Sequence, residues 1–403
     1  MKDRKEKPSF EPWPHFAEDE IQAVTRVLRS GQVNQWTGSE VTSFEHEFAE
    51  YLGVRHAVAL ANGSVALDLA LRVLGIGPGD EVIVTPRTFV ASAGCIALSG
   101  ALPVFADVDP VSQNIVPSLV ERAITGRTRA VIAVHLAGWP CELDQLRHLC
   151  DEHRIYLIED CAQAHGARSR GRAAGSFGDL AAFSFCQDKI MTTGGEGGLL
   201  ATNDERLWKK AWSFKDHGKD IDLAFRNNHP PGFRWLVRDF GTNYRMTEMQ
   251  AAIGRIQLGK LDHWVDTRRV HASVLDEGFQ GIPGLRATVP PEEVYHSYYK
   301  YYAFVRTEAL KRGWSRDRIL HELTERGVPC SVGSCSEVYL EEGFRKQPVR
   351  LVCGSGETGG GRLPVARELG ETSLMFLVHP TLTLDDMHLI VEKVREVFGL
   401  AGR

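Results

Sequence analysis

The chain has 403 residues, with 47 Lys and Arg against 52 Asp and Glu for a net charge of −5, 43% hydrophobic residues, 39 Gly, 18 Pro and 8 Cys. This length suffices for a sizeable core and roughly two or three domains, and the composition excludes a disordered, collagen-like or coiled-coil protein. A near-neutral charge offers no basic face for neutralising phosphates, so nucleic acid is not an expected partner.

The N-terminus, MKDRKEKPSFEPWP, is charged and proline-rich, with no apolar signal core. No run approaches the ~18 apolar residues of a spanning helix, so no membrane partner is expected and the expected location is the cytoplasm. From Phe16 to Leu28, Ile21, Val24, Val27 and Leu28 recur at helical spacing and Gly31 stops the run. A second helix is predicted from Ser43, with Phe44, Phe48 and Leu52 on one face and Gly53 after it. An alternation then begins: strand 56–60 into helix 64–74, strand 81–85 into helix 88–99, strand 102–108 into helix 117–124, strand 130–134 into helix 142–153, and strand 156–160. Short β-rich runs alternating with helices predict an α/β fold with a mostly parallel sheet covered on both faces. Strands at 181–185 and 198–202 bring the expected sheet to about seven strands.

From Thr247 to about Phe279 a long helix with few breakers is predicted, and beyond it strand 299–305, helix 315–326 and a last helix carrying Leu384, Met387, Val391 and Val394 read as a smaller α+β domain. The expected division is a large domain over 13–260 and a small C-terminal domain over 261–403. Segments 217–234 and 353–362 read as exposed loops; the second is glycine-rich but lacks the Gly-Lys-Ser/Thr ending of a nucleotide P-loop. The eight cysteines form neither a disulfide framework nor a pair of C-x-x-C units, so buried free thiols and no metal site are expected.

Three features of the α/β half converge. Asp160 ends a strand at the carboxyl edge, where open α/β sheets place ligands. Lys189 follows a strand and precedes TTGGEGG, where backbone can approach closely. Ser64 lies in a Gly-Ser turn that opens a helix, whose free N–H groups and dipole suit a phosphate. Singly, each has a structural reading: a strand-end acid, a solvated lysine, an N-cap. Jointly, a carboxylate, a lysine and a phosphate-binding helix start point to pyridoxal phosphate, whose chemistry uses all three.

Segments 62–92, 100–109, EDCAQAHGA (159–167), FSFCQDKIMTTGGEGG (183–198) and GTNYRMTEMQAAIGRIQL (241–258) resemble the DegT/StrS-type sugar aminotransferases, fold type I pyridoxal phosphate enzymes. The resemblance runs from about Val24 to the C-terminus. It implies that Lys189 bonds covalently to the cofactor, that Asp160 pairs with the pyridine nitrogen and that Gln163 sits beside the ring hydroxyl. It further implies that Ser64, Val65 and Ser184 bind the phosphate, that Phe89 stacks on the ring, and that Asn243 reaches the phosphate from a neighbouring subunit of a homodimer. An ionised Asp160 4 Å from a pyridinium is worth up to ~4 kcal/mol at an effective dielectric of about 20.

Two departures stand out: Gly-Ser replaces the usual Gly-Thr before the first sheet helix, and Asp188 adjoins Lys189. A lysine at 189, where dehydrating relatives carry histidine, favours transamination. His165, Lys215, Asp216 and His217 admit a substrate contact or structural hydrogen bonding. Arg226, Arg234 and Arg238 admit a nucleotide diphosphate contact or a solvated face. The implied activity moves an amino group from glutamate to a keto sugar, nucleotide-linked, for polysaccharide or antibiotic amino-sugar synthesis. The alternatives are an inosose aminotransferase, an aminohydroxybenzoate-synthase-like reaction, and a regulatory protein that kept the cofactor pocket.

Overall fold

The computed structural model describes residues 8–226, 232–354, 356–357 and 361–403. The chain begins with α1 (Glu18–Ser30) and α2 (Glu40–Leu52), closed by Gly31 and Gly53 at φ +70° and +72°. α2 starts at Glu40 instead of Ser43 because Glu248, distant in sequence, accepts the N–H groups of Glu40 and Val41 at 2.5 and 3.2 Å. Such a tertiary cap leaves no local signal.

The alternation follows as β1 (His56–Leu60), α3 (Gly63–Leu74), β2 (Glu81–Val84), α4 (Val90–Leu98), β3 (Leu102–Ala106), α5 (Pro117–Ala123), β4 (Thr128–Val134), α6 (Leu143–His153) and β5 (Tyr156–Asp160). A hairpin, β6 (Arg168–Ser169) and β7 (Arg172–Ala173), precedes β8 (Leu180–Ser184), β9 (Gly198–Thr202), α7 (Glu205–Lys215) and α8 (Ile221–Ala224). The predicted loop 217–234 therefore contains one helical turn; its residues 227–231 lie outside the described residues.

Then come the interdomain helix α9 (Glu248–Phe279), β10 (Leu285–Ala287), β11 (Val294–Tyr295), β12 (Tyr301–Val305), α10 (Arg316–Glu325) and β13 (Cys330–Ser331). The chain closes with α11 (Glu342–Arg345), β14 (Arg350–Cys353), β15 (Gly356–Glu357), α12 (Pro364–Thr372), β16 (Ser373–Phe376) and α13 (Leu384–Ala401).

The large sheet has the order β1-β9-β8-β5-β4-β2-β3-β14-β15 among the described residues, nine strands where about seven were expected. The run from β8 to β14 is parallel and both ends are antiparallel. The additional strands come from 350–357, partly the predicted glycine-rich loop; residues 355 and 358–360 lie outside the described residues. β14 is only four residues long and pairs with β3, so no alternation with helices announced it. Apolar clusters cover both faces of the sheet, which is why Glu81–Val84 is buried at every position. The smaller antiparallel sheet, β10-β12-β16-β13, packs with α10 and α13. α9 belongs to both cores: Ala251, Leu261 and Val265 pack with Phe44 and Phe48, while Ala272, Leu275 and Phe279 pack with Phe376 and Phe398.

None of the eight cysteines forms a disulfide, but burial holds for only part of them. Cys186 and Cys330 are partly exposed, and Cys335 is exposed because it lies on a loop after β13. Among the described residues no helix is long and apolar enough to cross a membrane.

Candidate active site

The carboxyl ends of β5 and β8 and the first turn of α3 open into a cleft of about 890 Å³. Seven of the sequence-predicted residues line it: Ser64, Val65, Phe89, Asp160, Gln163, Ser184 and Lys189. Asn243 does not. It is exposed, bridged through its backbone to Asp216, and its side chain accepts the Arg245 N–H at 3.2 Å.

Asp160, the last residue of β5, is 4% exposed. Its carboxylate accepts the Ser92 hydroxyl at 2.7 Å and the Ala162 N–H at 3.1 Å, and Ser92 is in turn paired with Thr88 at 2.8 Å. Among the described residues no cation pairs with it. A buried carboxylate so held, and open to a cleft, fits a group that brings a positively charged N–H. Gln163 is oriented by the Ala137 N–H, which donates to its Oε1 at 2.8 Å.

In the same cleft, the Asn62 side chain caps α3 by accepting the Val65 N–H at 3.0 Å. Two glycines permit a very close approach of backbone here. A Cβ on Gly63 would lie 2.5 Å from Ser184 Cβ, and one on Gly198 would lie 2.3 Å from the Asn62 carbonyl carbon. This packing sets Ser184 against the first turn of α3, whose N–H groups and dipole favour an anion. Phe89, at the N-cap of α4, is 65% exposed and offers a free aromatic face on the rim.

Lys189 sits in the turn after β8. The Trp13 indole N–H donates to its carbonyl oxygen at 2.8 Å, and its ammonium lies 4.9 Å from the centroid of the Tyr299 ring. Asp188 is held away from free ion pairing by the Tyr299 hydroxyl, which donates to it. Burial, with Asp188 beside it, pushes the Tyr299 hydroxyl's pKa up. Lys300 also lines the cleft; burial lowers its pKa to about 8, with Arg268 and Lys189 acting in the same direction and Asp188 against them.

The remaining candidates separate. His165 is buried against Phe183 and Phe185, and burial, with Lys189 next, lowers its pKa to about 3. Lys215 is buried outside the cleft lining, on Gln35 at 2.8 Å and Glu45 at 3.4 Å. Asp216 holds Lys219, Arg245 and the Trp36 indole at 2.7, 3.0 and 3.0 Å, and His217 takes a turn at φ +61°. Arg226, Arg234 and Arg238 are exposed and line no part of this cleft. His135, Glu159 and Cys161 bring three ligand-type atoms within 4.8 Å. Glu159 there serves the fold, accepting the N–H groups of Gly175, Phe177 and Gly178 at 2.7, 2.7 and 2.6 Å.

Sequence reasoning missed Asn62, Ser92, Trp13, Tyr299 and Lys300. Ser92 lies one helical turn after Phe89, a spacing that could have signalled it, and Asn62 is a local N-cap two residues before Ser64; Trp13, Tyr299 and Lys300 are brought in by tertiary packing.

An anion-binding helix start, an unpaired buried carboxylate and a lysine around one cleft of a mostly parallel sheet define a fold type I pyridoxal-phosphate enzyme. The model of the DegT/DnrJ/EryC1/StrS aminotransferase family matches residues 14–395, and the chain belongs to that family, whose members are pyridoxal-phosphate-dependent. It is 37% identical over 378 residues to the dTDP-3-amino-3,4,6-trideoxy-alpha-D-glucose transaminase of Streptomyces venezuelae, covering 93% of this chain and 90% of that one. It is 31% identical over 386 residues to the GDP-perosamine synthase of Escherichia coli O157:H7, covering 96% and 97%. Among solved structures, an aminotransferase from Psychrobacter cryohalolentis superposes with a TM-score of 0.92 at 50% identity, covering 97% of this chain and 99% of that one.

Proposed function

We propose that the chain transfers an amino group from glutamate to the keto carbon of a nucleotide-linked sugar, for amino-sugar building blocks of polysaccharides or antibiotics. The observation that carries this reading is the cleft itself, lined together by Asp160, Lys189 and the first turn of α3, in a chain whose relatives include nucleotide-sugar transaminases. Pyridoxal phosphate, when bound, supplies an aldehyde and an electron-accepting ring.

In this reading Asp160, held by Ser92, keeps a proton on the ring nitrogen, and Gln163 meets the ring hydroxyl. Ser64, Val65 and Ser184 hold the phosphate at the start of α3, and Phe89 covers the ring. Lys189 anchors the cofactor and then, as a free amine, takes the proton from the amine-bearing carbon of the donor. A merely cofactor-binding regulator has no use for that base.

The working unit in this proposal is a homodimer in which Asn243 serves the partner's phosphate site. Support comes from the exposed aromatics Phe233, Trp235 and Phe240, which are 79%, 78% and 93% exposed, in the segment leading to Asn243. The cytoplasm as its location is supported by eight cysteines that form no disulfide. The division into spans 13–260 and 261–403 is kept, with the strands at 350–357 returning to the large sheet.

The test is a panel of nucleotide-linked 3-keto and 4-keto sugars and inososes, each incubated with glutamate and holoenzyme. Formation of 2-oxoglutarate and an amino sugar on a nucleotide-linked member is expected; turnover of inososes alone would overturn the substrate class.

A further inference from the structure

Two ammonium groups share one aromatic ring in the cleft. Lys189 Nζ is 4.9 Å and Lys300 Nζ 4.7 Å from the centroid of Tyr299. Their circumstances differ. Lys189 is committed to the cofactor in the reading above. Lys300, immediately before β12, has the Tyr299 ring as its near contact and no hydrogen bond or ion pair with any described residue. Of the carboxylates lining the cleft, Asp188 accepts the Tyr299 hydroxyl and acts on Lys300 only through its charge, and Asp160 is held by Ser92 and Ala162. A cation that has lost much of its water and holds no anion is unfavourable in the free protein and is compensated when an anionic ligand arrives.

We propose that Lys300 binds the α-carboxylate of the amino donor. The inference rests on the reading of the cleft as an aminotransferase site. An amino-acid donor carries its α-carboxylate one bond from the carbon that gives up the amine. That anion must therefore come to rest close to Lys189, and Lys300 is the cleft cation left without a partner there. A keto sugar presents neutral hydroxyls around its reacting carbon, and its phosphates lie at the far side of the ring, so the acceptor makes no such demand. Lys300 is thus a specificity residue for the donor half-reaction: it selects a carboxylate at that position over a neutral group.

The experiment compares wild-type, Lys300→Met and Lys300→Arg holoenzymes, each checked for cofactor content and far-UV spectrum. Two readouts are taken. One is the Kd of glutarate, an unreactive dicarboxylate, measured by calorimetry. The other is kcat and KM for L-glutamate, for its α-amide, and for the keto acceptor. In Lys300→Met the glutarate Kd and the glutamate KM are expected to rise tenfold or more, the preference for glutamate over its α-amide to shrink by a similar factor, and the acceptor KM to stay put. Lys300→Arg is expected to restore much of the loss. An unchanged glutarate Kd in Lys300→Met, or a loss confined to the acceptor, would overturn the proposal. Failure of the wild type to form 2-oxoglutarate from glutamate would instead strike the aminotransferase reading, and the two failures are told apart because glutarate binding requires no turnover. Should Lys300→Met lose its cofactor, Lys300→Gln is measured in its place.

Discussion

At the residue scale, Asp160 and Lys189 carry the heaviest burden. If Asp160 pairs with a protonated ring nitrogen, Asp160→Ala loses the charge that stabilises the electron sink, whereas Asp160→Glu keeps it at an altered distance. We predict that the alanine variant slows proton abstraction by ~10³-fold, against ~10-fold for glutamate, in single-turnover measurements with donor. Near-normal turnover of the alanine variant would make Asp160 an ordinary strand end. Lys189 has its own check: borohydride reduction of the holoenzyme is expected to fix the cofactor on this residue in a peptide map. Lys189→Ala should bind the cofactor without covalent attachment and not turn over. Labelling of Lys300, which shares the Tyr299 ring with Lys189, would reverse the assignment of the two lysines.

Among the elements, the first turn of α3 is the most constrained. Its backbone lies so close to Ser184 that a Cβ on Gly63 forces one of them to move. Overpacking of that kind costs about 1–3 kcal/mol, and here it falls on the proposed phosphate site. Gly63→Ala is therefore expected to raise the cofactor Kd by ~10-fold or more in a titration of the apoenzyme. Gly94 is the control: it lies within α4, its added Cβ meets nothing within 4 Å, and alanine there should leave the Kd unchanged. Equal effects of the two substitutions would mean that close packing at α3 does not shape the phosphate site. The same element shows why sequence reading succeeded locally. Asn62, Gly63 and Ser64 are contiguous, so a helix start with free N–H groups is legible without any tertiary contact.

For the molecule as a whole, acid sensitivity follows from three buried imidazoles. His165, His296 and His379 have pKa values lowered to about 3, each chiefly by burial. Between about pH 6.5 and 3 the unfolded chain binds protons there that the folded chain does not, so their stabilising contribution is present above pH 6.5 and lost as the pH falls. With all three neutral in the fold, stability drops by up to about 4 kcal/mol per pH unit near pH 5, read as a falling urea midpoint. A midpoint flat from pH 6.5 to 5 would show that the folded protein already carries these charges. The shared site is a second whole-molecule prediction. Lys189→Ala and Asn243→Ala homodimers, each impaired, are unfolded and refolded together. If Asn243 serves the partner's site, each mixed dimer holds one intact site, and roughly a quarter of wild-type activity returns. No recovery, with mixed dimers confirmed by mass, would place both residues in one chain's site.

What the sequence determined by itself was whatever is written contiguously. The period of the apolar residues marked the strand-helix alternation from β1 to β5, and Asp160 ended one such run, Lys189 followed a strand and Ser64 opened a helix. Tertiary structure alone decided what depends on chain segments meeting. Glu248 capping α2, β14 crossing over to extend β3, Trp13 holding the Lys189 carbonyl, and Tyr299 with Lys300 entering the cleft beside Lys189 are contacts between residues more than one hundred, and in two cases more than two hundred, positions apart. Short-range periodicity reports which face of an element is apolar. It does not report which distant element will cover that face, since the free energy of that choice comes from packing both segments together.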